Sequence, residues 1–254
     1  MFLKIPPRSE KSFTGSAFIN YIETLPPEDR DEAIYIEILK GNIPNFLRNF
    51  VKIEFKEKDA RGKTHNVVLR VLPDYLSIGS NDNFVRIPMT PQTAQRIANY
   101  CNCLLPTKKI VDKIWYHGTV KLNPQPIDIR KYDITSPSVF LLHNKLIEEQ
   151  RKVYPLGVLT VGHKKDIVIT NKLLKHPDRV AIYGWHYPNG KPIQPLSIVH
   201  KNTYYDYSHG VRLIKNFVLV DGKEIVLEEL LKDPILNTLV SDEGIIYFTR
   251  YPIK

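Results

Sequence analysis

The sequence predicts an α+β fold, N-terminal helices followed by an antiparallel or mixed sheet, with residues 1–254 favoured as one compact domain. Three observations predict it. Helical periodicity fills the first forty residues, period-two alternation takes over at Val51, and no regular strand–helix–strand alternation follows. Segregated helices and strands are the signature of α+β folds, whereas a doubly wound sheet would alternate them.

The elements follow in order. Phe18, Ile19, Ile22 and Leu25 give Phe13–Leu25 an apolar stripe, and Pro26-Pro27 ends that helix. Glu28–Lys40 is a second helix: acidic residues crowd its first turn, where the dipole favours them, and Gly41 stops it. Asn42–Phe50, with Pro44, reads as a loop or short helix. Val51–Glu57 alternates apolar and charged residues, turns through Asp59–Lys63 and returns over Asn66–Leu72 as a hairpin. Tyr75–Ile78 and Phe84–Ile87 form another pair around the turn-prone Gly79–Asn83. Thr90-Pro91, Pro106-Thr107 and Ser136-Pro137 are start signals for helices running to about Cys101, from Lys108 to Trp115 and from Ser138 to Lys152. Short apolar runs then predict strands at 157–161, 166–170, 180–183, 211–214, 217–220 and 245–248, with helices at 224–231 and 234–240. The Pro-rich stretch 123–133 is the candidate subdomain boundary.

Composition excludes several classes. A chain with 25% charged and 43% hydrophobic residues is globular rather than disordered, and two cysteines build no disulfide framework. There is no run of 18 apolar residues to span a membrane. Pro6, Pro7, Arg8 and Glu10 interrupt any signal-peptide core, so the expected compartment is cytoplasmic, or secreted with a signal already removed. The net charge of +9 is uneven: residues 1–100 carry +2, residues 101–200 carry +8 and residues 201–254 carry −1. The excess favours an anionic partner. Nucleic acid is disfavoured. Thr90–Trp115 superficially reads as helix-turn-helix, but the stiff, apolar connection through Leu104-Leu105-Pro106 is longer than that motif's turn.

Six of the eight histidines lie between 143 and 209, interleaved with Trp185 and several tyrosines. Such a mixture suits proton transfer, metal ligation or recognition of a polar ligand. Three strings carry it: Gly162–Asp166, Ile182–His186 and Tyr205–Arg212. If strand ends bring them together, they predict a hydrolase using histidine acid/base chemistry on a polar or anionic substrate, carbohydrate or peptidoglycan-like polymers included. The alternative is a non-catalytic module binding an anionic or sugar-containing ligand. His163 and His209 are the expected base and acid, Asp166 orients His163, and Tyr205 and Ser208 are hydrogen-bond partners. In an extended strand Tyr205, Tyr207 and His209 share one face. Lys165, Trp185, His186 and Arg212 are the expected ligand-binding residues, the two cations stabilising negative charge. Cys103, ahead of a helix N-terminus, is a candidate thiol nucleophile. Zinc on His163, His186 and His209 is a further option for a cofactor, although no HExxH, HxH or CxxC spacing supports it.

Overall fold

The computed structural model describes residues 2–253 and has the α+β architecture. Its helices are α1 (Gly15–Glu23), α2 (Pro27–Leu39), α3 (Pro91–Tyr100), α4 (Lys108–His117), α5 (Pro137–Arg151) and α6 (Leu227–Lys232). The strands are β1 (Val51–Lys58), β2 (Thr64–Val71), β3 (Ser77–Gly79), β4 (Phe84–Arg86), β5 (Cys103–Leu104), β6 (Val120–Lys121) and β7 (Thr160–Val161). They continue with β8 (Lys165–Ile167), β9 (Ile182–His186), β10 (Pro192–Ser197), β11 (His209–Gly210), β12 (Ile214–Lys215), β13 (Phe217–Val220) and β14 (Lys223–Val226). Short 3-10 turns cover Asn45–Arg48, Asn171–Lys175 and Asn237–Leu239.

The start signals act as their chemistry dictates. Thr14, Thr90 and Thr107 each accept a hydrogen bond from a backbone N–H in the first turn of α1, α3 and α4, filling donors that the helix leaves orphaned. Ser136 precedes α5 without making that bond.

The larger sheet is built on β2, which pairs antiparallel with β1 along one edge and with β13 and β12 along the other. β14 and β5 extend it at either end. β1 alternates, with Ile53 and Phe55 buried and Lys52, Glu54 and Lys56 exposed, as an outer strand with one wet face must. β2 buries Val67, Val68 and Leu69 in succession, the run of a strand covered on both faces. A contiguous apolar core runs from Leu3 to Tyr251 and includes residues of α1 to α6 and both main sheets. Burying one such Ile, Leu or Phe side chain contributes roughly 1.5–3 kcal/mol.

Several expected elements differ. Residues 224–226 complete a hairpin with β13 before α6 begins, because Glu224 and Ile225 pair with Leu219 and Val218. The 245–248 run is irregular rather than a strand. The Tyr205–Arg212 strand shrinks to His209–Gly210, because Asp206 turns the chain on itself by accepting the Ser208 N–H. Consequently Tyr205 and His209 share no strand face. Between α3 and α4 the chain forms β5 within the large sheet, so this pair of helices is not a helix-turn-helix. The 123–133 stretch has no strand or helix, yet Ile127 is buried and donates its N–H to Tyr207 Oη at 2.8 Å.

One polar clip fastens the large sheet's turns. His65 of β2 places Nε2 at 3.1 Å from Asp59 Oδ2 and Nδ1 at 2.8 Å from Asp221 Oδ2. The hydrogen bond to Asp59, followed by that to Asp221, raises the His65 pKa above its ordinary value. A histidine raised on folding adds stability below its unfolded pKa of about 6.5 and loses it as pH rises through the folded value. The melting-temperature advantage of the wild type over His65→Gln is therefore expected to be larger at about pH 6 than at about pH 9; an advantage independent of pH contradicts the clip's ionic character.

Candidate functional site

The three histidine-bearing strings converge on the smaller sheet, whose strand order is β10-β9-β8-β11. β8 pairs antiparallel with β9, Lys165 opposite Gly184 and Asp166 opposite Tyr183. β8 pairs parallel with β11, Lys165 opposite His209 and Asp166 opposite Gly210. Partners in register project to the same face, so Lys165 shares a face with His209, and Asp166 with Tyr183.

β9 adds a twist of its own. Gly184 and Trp185 have φ of 106° and 56°, and a tryptophan in the left-handed region costs of order 1–3 kcal/mol unless its surroundings hold it there. The kink sends neighbouring side chains to separate surroundings. Trp185 meets Lys165, whose Nζ lies 5.2 Å from its ring centroid, and the rings of His143 and Tyr207 at 6.3 and 6.2 Å. His186 instead stacks on Trp115 of α4 at 5.6 Å and sets Nε2 3.1 Å from Asp112 Oδ1, the same oxygen that Tyr183 Oη reaches at 2.7 Å. His186 thus belongs to a group around α4, apart from Trp185.

A buried ionic network stands beside this sheet. Asp74, between β2 and β3, binds Arg86 of β4 through both carboxylate oxygens, with contacts of 2.6–3.1 Å, and Oδ1 lies 2.9 Å from His163 Nε2. The other side of the Arg86 guanidinium donates to Asn144 at 3.0 Å and Glu148 at 2.9 Å, both on α5. Asp74, Arg86, Asn144 and His163 are all buried. Burial alone would raise the Asp74 carboxyl, but the charge of Arg86, aided by His163, outweighs it and holds the carboxyl well below its ordinary range. Ionised Asp74 can only accept, so His163 Nε2 must donate. Burial, opposed by Asp74, pushes the His163 pKa down to about 4. At neutral pH the ring is uncharged, its single proton on Nε2, and Nδ1 carries a bare lone pair. That Nδ1 is buried without a hydrogen-bond partner.

The partner of His163 is therefore Asp74, correcting the expectation that Asp166 orients it. Asp166 instead accepts from Tyr75 Oη at 2.8 Å, and burial pushes its carboxyl up to about 6 against the opposing charge of Arg212. Tyr75 also packs edge-on against His163, the ring centroids 5.0 Å apart. Arg212 lies over the Tyr75 ring and donates to Leu72 O and Thr160 O at 2.8 and 2.7 Å, leaving Nε alone without a partner. Most of its guanidinium is committed to the fold rather than offered to a ligand. Ser208 Oγ donates to Asp206 Oδ1 rather than to a histidine. Tyr205 packs against Phe140, 6.0 Å away, and lines a separate cleft with Asp31, Thr93, Arg96 and Thr203, of about 590 Å³; it is removed from the histidine group.

Cys103 lies buried in β5, its thiol donating to Cys101 O at 3.4 Å, and burial, reinforced by Cys101, pushes its pKa far above the ordinary value. The helix-activated thiolate is thereby overturned: the thiol stays protonated inside the large sheet. Among the described residues, no three His, Cys, Asp or Glu side chains are grouped to hold a metal ion, so His163, His186 and His209 do not form the zinc site their sequence clustering suggested.

His143, Lys164, Asp74 and Arg86 complete the site although they were not among the expected residues. His143, from α5, is buried with neither ring nitrogen hydrogen-bonded, and the Gln125 backbone approaches without closing a bond. Lys164 is buried with Nζ on Tyr207 O, and burial, helped by the charge of Arg86, pushes its pKa down to about 7. Asp74 and Arg86 carried a signal: each is a charge inside a short apolar run, affordable only if paired. His143 carried none beyond being one of the six clustered histidines. His209 is also buried with both ring nitrogens free, and burial, opposed by Asp206, pushes its pKa to about 4.

No family model, curated protein or solved structure matches this chain. Among the described residues no helix is long and apolar enough to cross a membrane.

Removing one partner of a buried ion pair costs roughly 3–5 kcal/mol because the other charge is left unpaired. Asp74→Asn is expected to lower unfolding stability by that amount in urea titration. A loss below about 1 kcal/mol, the scale of an exposed pair, contradicts the placement of Arg86.

Proposed function

We propose that the protein is a hydrolase that works by acid/base chemistry at His163, on a polar substrate that is anionic or carries a sugar. The observation that supports this reading most is the Asp74–His163 pair: Nε2 is fixed by a carboxylate, while Nδ1 is unprotonated, unpartnered and buried. A carboxylate that fixes tautomer and ring orientation, leaving the second nitrogen free, is the arrangement a general base requires.

In this reading a water at Nδ1 gives its proton to His163 as its oxygen attacks the substrate. Asp74 stabilises the imidazolium that forms. His209, uncharged at neutral pH, is poorly suited to be the acid; we assign that role to Lys164, the residue after His163 in the chain, whose ammonium is buried on Tyr207 O and whose pKa burial pushes down to about 7. Tyr75 limits the movement of the His163 ring. The full burial of His163 also supports a second reading, a module that encloses a ligand without turning it over.

The test is hydrolysis of a panel of chromogenic esters, phosphomonoesters and glycosides. At least one class is expected to turn over, with His163→Gln lowering kcat by about 10²-fold or more while the melting temperature stays within a few degrees. Because the base must be uncharged, the rate is expected to fall as pH drops through about 4, not through the ordinary histidine value of about 6.5. Turnover that survives His163→Gln in a folded protein contradicts the assignment, and absence of turnover with every class favours the enclosing module.

A further inference from the structure

Buried side-chain nitrogens and oxygens without a hydrogen-bond partner number eleven among the described residues, and seven belong to His143, His163, Trp185, His209 and Arg212. Buried polar atoms in native proteins are overwhelmingly paired, and leaving one unsatisfied costs about 1–3 kcal/mol. Unpaired atoms on these five residues offer hydrogen bonds that bound water or a guest would complete.

Three of these residues, with Lys165, form one group. His143 and Trp185 are in edge-on ring contact, both lie against Tyr207, Lys165 sits over Trp185, and His209 is the strand neighbour of Lys165 on the same face. Their chemistry is one-sided. The Trp185 indole offers one N–H, each neutral imidazole one, and the Lys165 ammonium up to three, whereas the free acceptors are one nitrogen on each imidazole. Of the two carboxylates nearest in sequence, Asp166 accepts from Tyr75 Oη, and Asp206, whose charge acts on His209 and Lys165, accepts from the Ser208 N–H, the Ser208 hydroxyl and Tyr204 Oη. The Lys165 ammonium offsets that charge, and the indole and imidazole N–H groups stay unpaired. A neutral sugar hydroxyl brings a donor for every pair of lone pairs and would leave much of this donor excess unused. An oxyanion brings acceptors alone.

We propose that Trp185, His143, His209 and Lys165 bind an oxyanion of the substrate, a phosphate, sulfate or carboxylate group. The proposal rests on the acid/base reading for its role, since His143 lies within electrostatic reach of His163, but the binding itself does not require turnover. The irregular stretch between β10 and β11 lays Tyr204 against His209 at 5.9 Å and Tyr207 against His143 at 4.7 Å, and so covers two of these donors. The strained Trp185 backbone fits the same role: the left-handed φ turns the indole toward His143 and away from α4.

The test is calorimetric titration of the full chain with inorganic phosphate, sulfate and acetate, and with methyl glucoside as the neutral control. At least one anion is expected to bind, the strongest identifying the group, and methyl glucoside is not. Trp185→Phe, which keeps the ring and removes the N–H, is expected to weaken anion binding roughly 10-fold or more, as loss of a hydrogen bond to a charged group does. Should that variant not fold, Lys165→Met, at a half-exposed position, is expected to weaken it comparably. His163→Gln is expected to leave the affinity within about threefold while lowering kcat by about 10²-fold or more. Failure of all three anions to bind, binding indifferent to both Trp185→Phe and Lys165→Met, or binding of methyl glucoside in their place overturns the proposal. Anion binding without any turnover overturns the acid/base reading alone.

Discussion

The carboxylate of Asp74 is the constraint on which the centre of this molecule depends. It lies between a guanidinium and an imidazole with almost no access to water. Taking an ion out of water costs several kcal/mol after relaxation, and only good geometry with further hydrogen bonds recovers it. Here the geometry is bidentate toward Arg86, and Arg86 spends its remaining donors on Asn144 and Glu148. One carboxylate thereby fixes the loop after β2, strand β4, helix α5 and the segment after β7 relative to one another. The same interaction sets the tautomer of His163. Fold and candidate chemistry thus share one contact, and a change that loosens the first also alters the second.

The kink at Gly184–Trp185 is the second organising feature. An ordinary strand would place Tyr183 and Trp185 on one face and send His186 to the other. The two positive φ values instead direct Trp185 toward His143 of α5 and His186 toward Asp112 of α4. The charge excess of residues 101–200 resolves along similar lines. Lys108, Lys109 and Lys113 are committed to Glu57, Asp112 and Asp242 around α4, whereas Lys164 and Lys165 lie in the site against the Tyr207 carbonyl and the Trp185 ring, with Asp206 as the carboxylate whose charge acts on both. The basic surplus is thus partly an internal feature rather than a property of the surface alone.

Much of the architecture was legible because local signals and tertiary packing agree. The β1–β2 hairpin follows from strict alternation after Val51, and α3 and α4 from Thr-Pro and Pro-Thr start signals. Where the two conflict, packing decides. Glu224 and Ile225 have a helical neighbourhood but pair with β13, and Tyr205 to Arg212 alternates like a strand but its first half is drawn into a turn by the Asp206 side chain. The convergence of the three histidine strings was legible in outline, since short apolar runs flanking all three pointed to strand ends. The partners were not. Spacing within one string cannot show that His163 pairs with a residue 89 positions earlier, and it paired Asp166 with the nearest histidine when the actual partner, Tyr75, is 91 positions away. A sequence reports neighbours along the chain, whereas a site is made of neighbours in space.

The central claim is that Asp74 holds His163 as a neutral ring protonated at Nε2. Two-dimensional ¹⁵N–¹H correlation of the histidine side chains measures this directly, since a protonated ring nitrogen and one with a bare lone pair resonate far apart. The account predicts one protonated and one unprotonated nitrogen for His163 at neutral pH, with the proton on Nε2 and the pattern persisting until the pH falls to about 4. Two protonated nitrogens at neutral pH, or a proton on Nδ1, would contradict it.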